Sequence, residues 1–244
     1  MWQLPVLGSD PAAFPPASQA RVQPNGLLAM GGDLSPERVQ QAYRRGIFPW
    51  YSEQDPILWW SPHPRLVLEP DAFKPSRSLR KRARSCGWQL SIDRAFLPVI
   101  HACAQTPRPG QDGTWIVRDI ESAYARMHRL GLAHSIEIWD GTRLLGGLYG
   151  LALGRMFFGE SMFSRVPDAS KLALWALCTQ LQRWGWPLID CQVETAHLIS
   201  LGAQSWPRER FLDAVGAHAQ PPDIWRADTL PRTPVDLHDW LMAP

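Results

Sequence analysis

Paired cysteines are missing from this chain. Its four cysteines, at 86, 103, 178 and 191, fall in no CxxC spacing, so neither a zinc site nor a disulfide framework is suggested. No basic segment followed by an apolar run stands at the N-terminus, and no stretch reaches membrane-spanning length. The expectation is a cytoplasmic protein in a reducing compartment, with no membrane partner and no metal. A GxxxxGK(S/T) phosphate loop is also absent, so the glycines of residues 24–34 read as turn formers. No internal repeat is evident.

What remains is ordinary in bulk and uneven in detail. With 244 residues, 45% hydrophobic and 20% charged, the chain can bury a sizeable core. Thirteen tryptophans are many, and each must serve either as core or as a stacking platform. Net charge is only +2, yet Lys74, Arg77, Arg80, Lys81, Arg82 and Arg84 crowd together with no acid between them. A basic patch on a mildly acidic body points to a polyanion partner, against the plainer reading of a solvated helix face.

Residues 1–24 read as an extended, proline-rich lead-in. Ser35 and Pro36 open a helix that Gly46 stops, which predicts helix over 36–45. Residues 47–51 and 58–65 then bring five large aromatics beside prolines, and Pro62 and Pro64 forbid a central strand there. In the basic run, Arg77, Lys81 and Arg84 share one helix face. Asp93 is expected to cap a helix through Phe96, Val99, Ile100 and Cys103, and a polar loop follows over 105–113. After Asp119, residues Ile120, Ala123, Tyr124, Met127 and Leu130 keep helical spacing up to Gly131. Turns at Asp140-Gly141 and Gly154-Arg155 then separate strands over 135–139, 143–153 and 156–160, a three-strand meander. Asp168 is expected to cap a helix over 169–184, with Leu174, Leu177 and Leu181 in one stripe. A strand over 188–192, a short helix around 197–201, a helix over 208–218 and a proline-containing tail complete the chain.

Residues 156–164 place one carboxylate, Glu160, among two methionines and three phenylalanines. An acid in such surroundings must hold a cation or a donor, in a structural ion pair or in a site. The strand over 188–192 carries a second acid, Asp190, beside Gln192. Two acids on neighbouring strands next to an apolar wall suit a small molecule with an amine and an apolar side chain. Cys191 alternates away from both and reads as a buried thiol. His134 and His197 have no ligand spacing.

Helix, three antiparallel strands, helix and strand is the order of a GCN5-related N-acetyltransferase core. Those enzymes cradle the coenzyme A pyrophosphate on a (Q/R)xxGxG loop. Here residues 163–171 carry no glycine and place an acid, Asp168, at the helix start, which repels a phosphate. Coenzyme A is therefore not expected.

The strings GLLAMGGDLSPERVQQAYRRGIFPWY, ILWWSPHPR, TWI, AHSIEIWD, GGLYGLALGRMFFGESMFS, DASKLAL and LIDCQ…HLISLGA, spread over residues 24–205, resemble the bacterial leucyl/phenylalanyl-tRNA–protein transferases. The resemblance implies an α+β protein with a small N-terminal domain, residues 1–65, and a GCN5-related N-acetyltransferase-like C-terminal domain, residues 66–244. It implies transfer of leucine or phenylalanine, with methionine as a third candidate, from aminoacyl-tRNA to the N-terminal Arg or Lys of a protein. That transfer creates a degradation signal, and it needs no cofactor. By the same resemblance Trp50 and Trp115 meet the terminal adenosine, and Leu148, Phe157, Met162, Leu174, Leu177, Leu181 and Ile189 surround the aminoacyl side chain. Glu160 meets the aminoacyl amine, and Asp190 with Gln192 sits at the reacting ester. Strict strand alternation puts Phe157 and Glu160 on opposite faces, so a bulge near Gly159 is expected. The chain departs from the family at Leu148, where a larger side chain is frequent, and at Thr195, where Asn is common. The six cations at 74–84 are assigned to the tRNA, and a monomer is expected. The rival readings are a non-catalytic RNA-binding module and a coenzyme A-dependent acetyltransferase.

Overall fold

The computed structural model describes residues 3–106, 114–222 and 224–243. The lead-in contributes a short strand, β1 (Val6–Leu7), parallel to β2 (Leu27–Gly31), which runs through the segment read as turns. The Ser35 hydroxyl accepts from the Arg38 N–H, and Pro36 occupies the first turn of α1 (Pro36–Tyr43). Strands β3 (Phe48–Pro49) and β4 (Leu58–Trp60) complete a four-stranded sheet in the order β1-β2-β4-β3, so that β4 is central against expectation, because it ends before Pro62 and Pro64.

Beyond the two prolines, β5 (Arg65–Leu68) enters a second sheet. The basic run forms α2 (Arg77–Ser85), anchored by buried Leu79 and Ala83, with its cations outward. Next come β6 (Gln89–Ile92), α3 (Phe96–Ala104) and α4 (Arg118–Arg129). The meander is β7 (Ala133–Asp140), β8 (Arg143–Leu153) and β9 (Met156–Ser164). Helix α5 (Ala169–Arg183) carries the chain to β10 (Leu188–Gln192), parallel to β9. Then follow α6 (Ala196–Ser200), β11 (Gln204–Trp206) and α7 (Arg208–His218). The expected tail holds β12 (Val235–Asp236) and α8 (Leu237–Met242), whose Leu237 and Leu241 are buried. The second sheet has eight strands in the order β11-β5-β10-β9-β8-β7-β6-β12. The protein is thus a mixed α+β structure.

Helices cover both faces of the meander because its strands are apolar on both. Leu148, Phe157 and the α5 residues Leu174 and Leu177 belong to one core, and Tyr149, Phe158, Tyr43 and the α4 residue Tyr124 to the other. Adjacent residues of β8 and β9 therefore serve different cores, as strand geometry requires. Helix α5 is apolar almost all round, as a helix laid across a sheet and covered by others must be.

Two expected caps spend their carboxylates elsewhere, and a third acid lies inside its helix. Asp93 adopts φ 59° and spends its carboxylate on His134 Nδ1, 2.7 Å, and the Ser135 N–H, 2.9 Å, while Ala95 takes the α3 N-cap. Asp119 lies within the first turn of α4 rather than before it, where its charge complements the positive end of the helix dipole. Asp168 stands before α5 at φ 75°, pairing with Lys171 at 2.9 Å and Arg82 at 4.0 Å. The capping bond comes instead from the Ser170 N–H to Ser164 Oγ, 2.8 Å. The loop expected over 105–113 lies outside the described residues from 107 onward.

Glycine is forced at one position next to the site. A Cβ on Gly150 would overlap the Phe158 carbonyl oxygen and lie 2.6 Å from the Phe157 ring. Gly150→Ala is expected to cost about 1–3 kcal/mol by overpacking, read as a lower urea midpoint. An unchanged midpoint would contradict this close approach.

Candidate functional site

Two departures from regular pairing build the site. In β8 and β9, Tyr149 pairs with Ser161 and Gly150 with Gly159, so Glu160 is an extra residue and bulges. The expected bulge is present, one residue beyond Gly159, and it brings Phe157 and Glu160 to the same cavity. Strands β9 and β10 pair only as far as Phe158 and Asp190, after which the register shifts and Gln192 pairs with Leu66 of β5. Gln192 sits at φ 56°, left-handed for a non-glycine residue. Beyond that point the two parallel strands separate.

The resulting cavity has a volume of about 550 Å³. Leu148, Phe157, Met162, Leu174, Leu177 and Ile189 form its apolar walls, and Trp50 and Trp115 line it as well. Trp50 is braced: its N–H donates to the Leu58 carbonyl at 3.0 Å, and Trp60 Nε1 donates to its carbonyl at 2.6 Å. Leu181 is buried in the core and does not line the cavity, because it lies one turn beyond Leu177. Cys191 does line it, against the expectation from alternation, because the shift at Gln192 breaks the two-residue period. Burial raises the Cys191 thiol far above its usual range, and the Asp190 charge adds to that. It is a wall, not a nucleophile.

Glu160 is half-buried at the edge of this space. Its Oε1 accepts from the Tyr43 hydroxyl at 2.6 Å and its Oε2 from the Tyr124 hydroxyl at 3.0 Å. Gln192 Nε2 lies 3.5 Å from Oε1. Burial pushes the carboxyl up to about 7, against the pull of the two tyrosine bonds. Both phenols are held well above their usual range, first by burial and then by the Glu160 charge, so they stay donors.

Asp190 is fully buried and outside the cavity lining. Sequence spacing offered it the Gln192 amide as a donor. The structure supplies Arg65 instead, with Nε at 2.8 Å from Oδ1 and Nη2 at 2.6 Å from Oδ2. The Gln192 backbone N–H also donates to Asp190 Oδ1, at 3.0 Å. The carboxylate therefore shapes the main chain of Gln192 rather than its side chain. The Arg65 guanidinium lies over Phe48 at 4.7 Å and over Phe211 at 4.5 Å, and donates to the Gly46 carbonyl.

Sequence reading missed Arg65, Tyr43 and Tyr124 as parts of this centre. Tyr43 and Tyr124 carry the signal of any core aromatic, and only their hydroxyls, meeting at 2.5 Å, set them apart. The cations of α2 do not line the cavity. They form a separate exposed surface, from which Arg82 reaches Asp168.

Fold and centre together define a mixed α+β protein with an apolar-walled cavity that is also lined by a carboxylate, an amide and two indole rings. Comparison with known proteins gives the family. The model of the leucyl/phenylalanyl-tRNA protein transferase family matches residues 67–216, and that of the N-terminal domain of the same family matches residues 32–63. The chain is 55% identical over 224 residues to the leucyl/phenylalanyl-tRNA–protein transferase of Xanthomonas campestris pv. campestris (strain B100), covering 90% of each. It is 53% identical to that of Stutzerimonas stutzeri (strain A1501), over 91% of this chain and 98% of the relative. The chain belongs to the leucyl/phenylalanyl-tRNA protein transferase family.

Removing one partner of a buried ion pair strands the other, at a cost of about 3–5 kcal/mol. Asp190→Asn is therefore expected to lower the free energy of unfolding by that order. Arg65→Met with Asp190→Leu should lose less than the two single changes predict together, as a double-mutant cycle in urea would show. Additive losses would contradict the coupling.

Proposed function

We propose that the protein transfers leucine or phenylalanine from aminoacyl-tRNA to the N-terminal Arg or Lys of an acceptor protein, marking it for degradation. Family membership supports this reading. The observation that carries it is the single cavity on which an apolar floor, Glu160, Gln192 and two tryptophans converge. Trp50 and Trp115 take the terminal adenosine, since a braced, half-buried indole offers a face to a base. Leu148, Phe157, Met162, Leu174, Leu177 and Ile189 receive the aminoacyl side chain, with Leu181 packing behind them. Ionised Glu160 pairs with the aminoacyl α-amine.

The donor ester is already activated by its tRNA, so the reaction asks mainly for positioning, which lowers barriers by about 7–11 kcal/mol in favourable cases. The attacking α-amine, with an ordinary pKa of roughly 7.7–8.0, is partly neutral near pH 7. As it attacks the ester carbonyl the C–N bond forms, the bond to the tRNA ribose oxygen breaks, and that oxygen gains a proton. Gln192, a neutral amide, orients the amine or the carbonyl. Asp190 acts behind it by fixing its backbone, and being bound on both oxygens it is a positioning group. No step calls for a metal or a nucleotide.

The remaining assignments have structural support of a coarser kind. The first sheet ends at Trp60 and the second begins at Arg65. This supports a small N-terminal domain over 1–65 and a catalytic domain over 66–244. A meander, a crossover helix and a parallel strand that parts from its neighbour support an acetyltransferase-like core in the second. Ser164 and Asp168 at the start of α5, with no glycine loop, speak against coenzyme A. Lys74, Arg77, Arg80, Lys81, Arg82 and Arg84, all exposed, take the phosphates of the acceptor arm. We take the protein to be cytoplasmic and monomeric; among the described residues no helix is long and apolar enough to cross a membrane.

Incubation with labelled Leu-tRNA and an Arg-initiated acceptor tests the whole reading. Label should enter the acceptor by one residue, and an acceptor beginning with an acidic residue should stay unlabelled. No transfer, or acetylation from acetyl-coenzyme A, would overturn the proposal. Reversing Arg77, Lys81 and Arg84 to Glu should weaken tRNA binding and flatten its dependence on salt, because fewer counterions are released. An aminoacyl-adenosine analogue, which has no acceptor arm, should bind these variants unchanged. An unaltered salt slope would remove α2 from the interface.

A further inference from the structure

Among the described residues Glu160 is the only carboxylate lining the cavity, and both of its oxygens face phenolic hydroxyls that come from outside the strands. Tyr43 closes α1, in the segment that carries the first sheet, and Tyr124 lies in the middle of α4. The three groups form a closed triangle of oxygens: 2.6 Å from Tyr43 to Oε1, 3.0 Å from Tyr124 to Oε2, and 2.5 Å between the hydroxyls. Each phenol has one hydrogen to give. Two hydrogens serve three short contacts: with the carboxylate ionised both can be directed at it, one to each oxygen, and the hydroxyl–hydroxyl contact then carries none. Phenylalanine at either position would keep the packing and remove one of these donors.

We propose that Tyr43 and Tyr124 are positioning residues that act through Glu160, fixing its carboxylate and keeping it ionised to receive the aminoacyl α-ammonium. The proposal rests on the role given to Glu160 above. Its logic is a balance of opposing effects. Withdrawal from water disfavours the charged carboxylate, and hydrogen bonds donated to the charged form favour it. Burial leaves Glu160 titrating at about 7, and the two tyrosine bonds hold it from going higher. The charge on which amine binding depends is therefore set by two side chains that never touch the amine.

Other groups share the cavity with Glu160 or act on its charge. Tyr149 comes from β8, Asp190 and Cys191 from β10, Arg65 from β5 and His197 from α6. Asp190 opposes ionisation of Glu160 and Arg65 favours it, and these two are locked to each other. His197 is lowered below its usual range, by burial and then by Lys171, so its titration lies on the acid side of Glu160. Cys191 is raised far out of the neutral range. A loss of aminoacyl-tRNA affinity on acidification through neutrality, read without acceptor so that the attacking α-amine takes no part, therefore reports Glu160.

The sign follows. Ionised Glu160 is the binding form, so affinity for aminoacyl-tRNA, read without acceptor, falls as pH drops through about 7. Tyr43→Phe and Tyr124→Phe each remove a donor to the charged form, and each should move that acid limb upward, by about one pH unit. The double variant should move it further. A second readout is the competition of two aminoacyl-adenosine analogues, one with an α-amine and one with an α-hydroxyl. The wild type should prefer the amine at neutral pH, and the Phe variants should lose most of that preference.

Lower activity with an unmoved limb and an unchanged amine preference would make the tyrosines merely structural and overturn the proposal. Glu160→Gln separates that failure from failure of the underlying reading. Loss of the limb and of the amine preference in this variant keeps Glu160 at the amine. Full activity with the limb intact would remove Glu160, and with it the tyrosines. Should Tyr43→Phe fail to fold, Tyr124→Phe in the same two measurements decides the matter.

Discussion

The site depends on one buried ion pair. Arg65 and Asp190 are 125 positions apart and almost wholly shielded from water, with side-chain exposures of 1% and 0%. Such a pair is expensive, because two charges leave water for an interior that repays them only with good geometry. Here the geometry is two-pronged, the guanidinium lies over the rings of Phe48 and Phe211, and a further donor reaches the Gly46 carbonyl. Phe48 and Gly46 belong to the first sheet's segment, Phe211 to α7 and Asp190 to β10. One cation thereby ties four parts of the chain to one another.

The same pair opens the cavity. Asp190 has capacity left after binding Arg65, and Oδ1 takes the Gln192 N–H. That bond turns the chain into a left-handed residue, draws Gln192 into register with Leu66, and separates β10 from β9. The bulge at Glu160 matches it from the other side of the gap. An apolar floor from the α5 core and a carboxylate facing the α1 and α4 core can then meet through one opening in the sheet. Neither face of an unbroken sheet would bring these groups together, since alternate residues serve opposite sides. The chemistry asked of this opening is modest, which fits a centre built from orienting groups.

Much of the fold was legible in the sequence. Helical spacing in Ile120, Ala123, Tyr124 and Met127, and turns at Asp140-Gly141 and Gly154-Arg155, are local signals, and local hydrogen bonds obey them. The acidic caps were misread because position alone does not say where a carboxylate's best partner lies. Asp93 is taken by His134 and Asp168 by Lys171, each a stronger partner than a helix amide. Strands β5 and β6 were hidden because four residues between prolines or loops show no period. In the candidate site, Glu160 and the apolar walls were visible, and Gly159 signalled the bulge. The partners were not. Arg65, Tyr43 and Tyr124 reach the site across 125, 117 and 36 positions respectively. Only folding shows that Asp190 belongs to Arg65 and that Leu181 falls behind the wall.

A crystal structure with a non-hydrolysable phenylalanyl-adenosine analogue puts the arrangement to its most direct test. The phenyl ring should lie between Leu148, Leu174 and Leu177, the α-amine within hydrogen-bond distance of Glu160, and the adenine against Trp50 or Trp115. The Arg65–Asp190 pair and the left-handed Gln192 should be unmoved. An analogue bound elsewhere, or one whose amine faces away from Glu160 while Asp190 leaves Arg65 to meet it, would contradict this reading of the site.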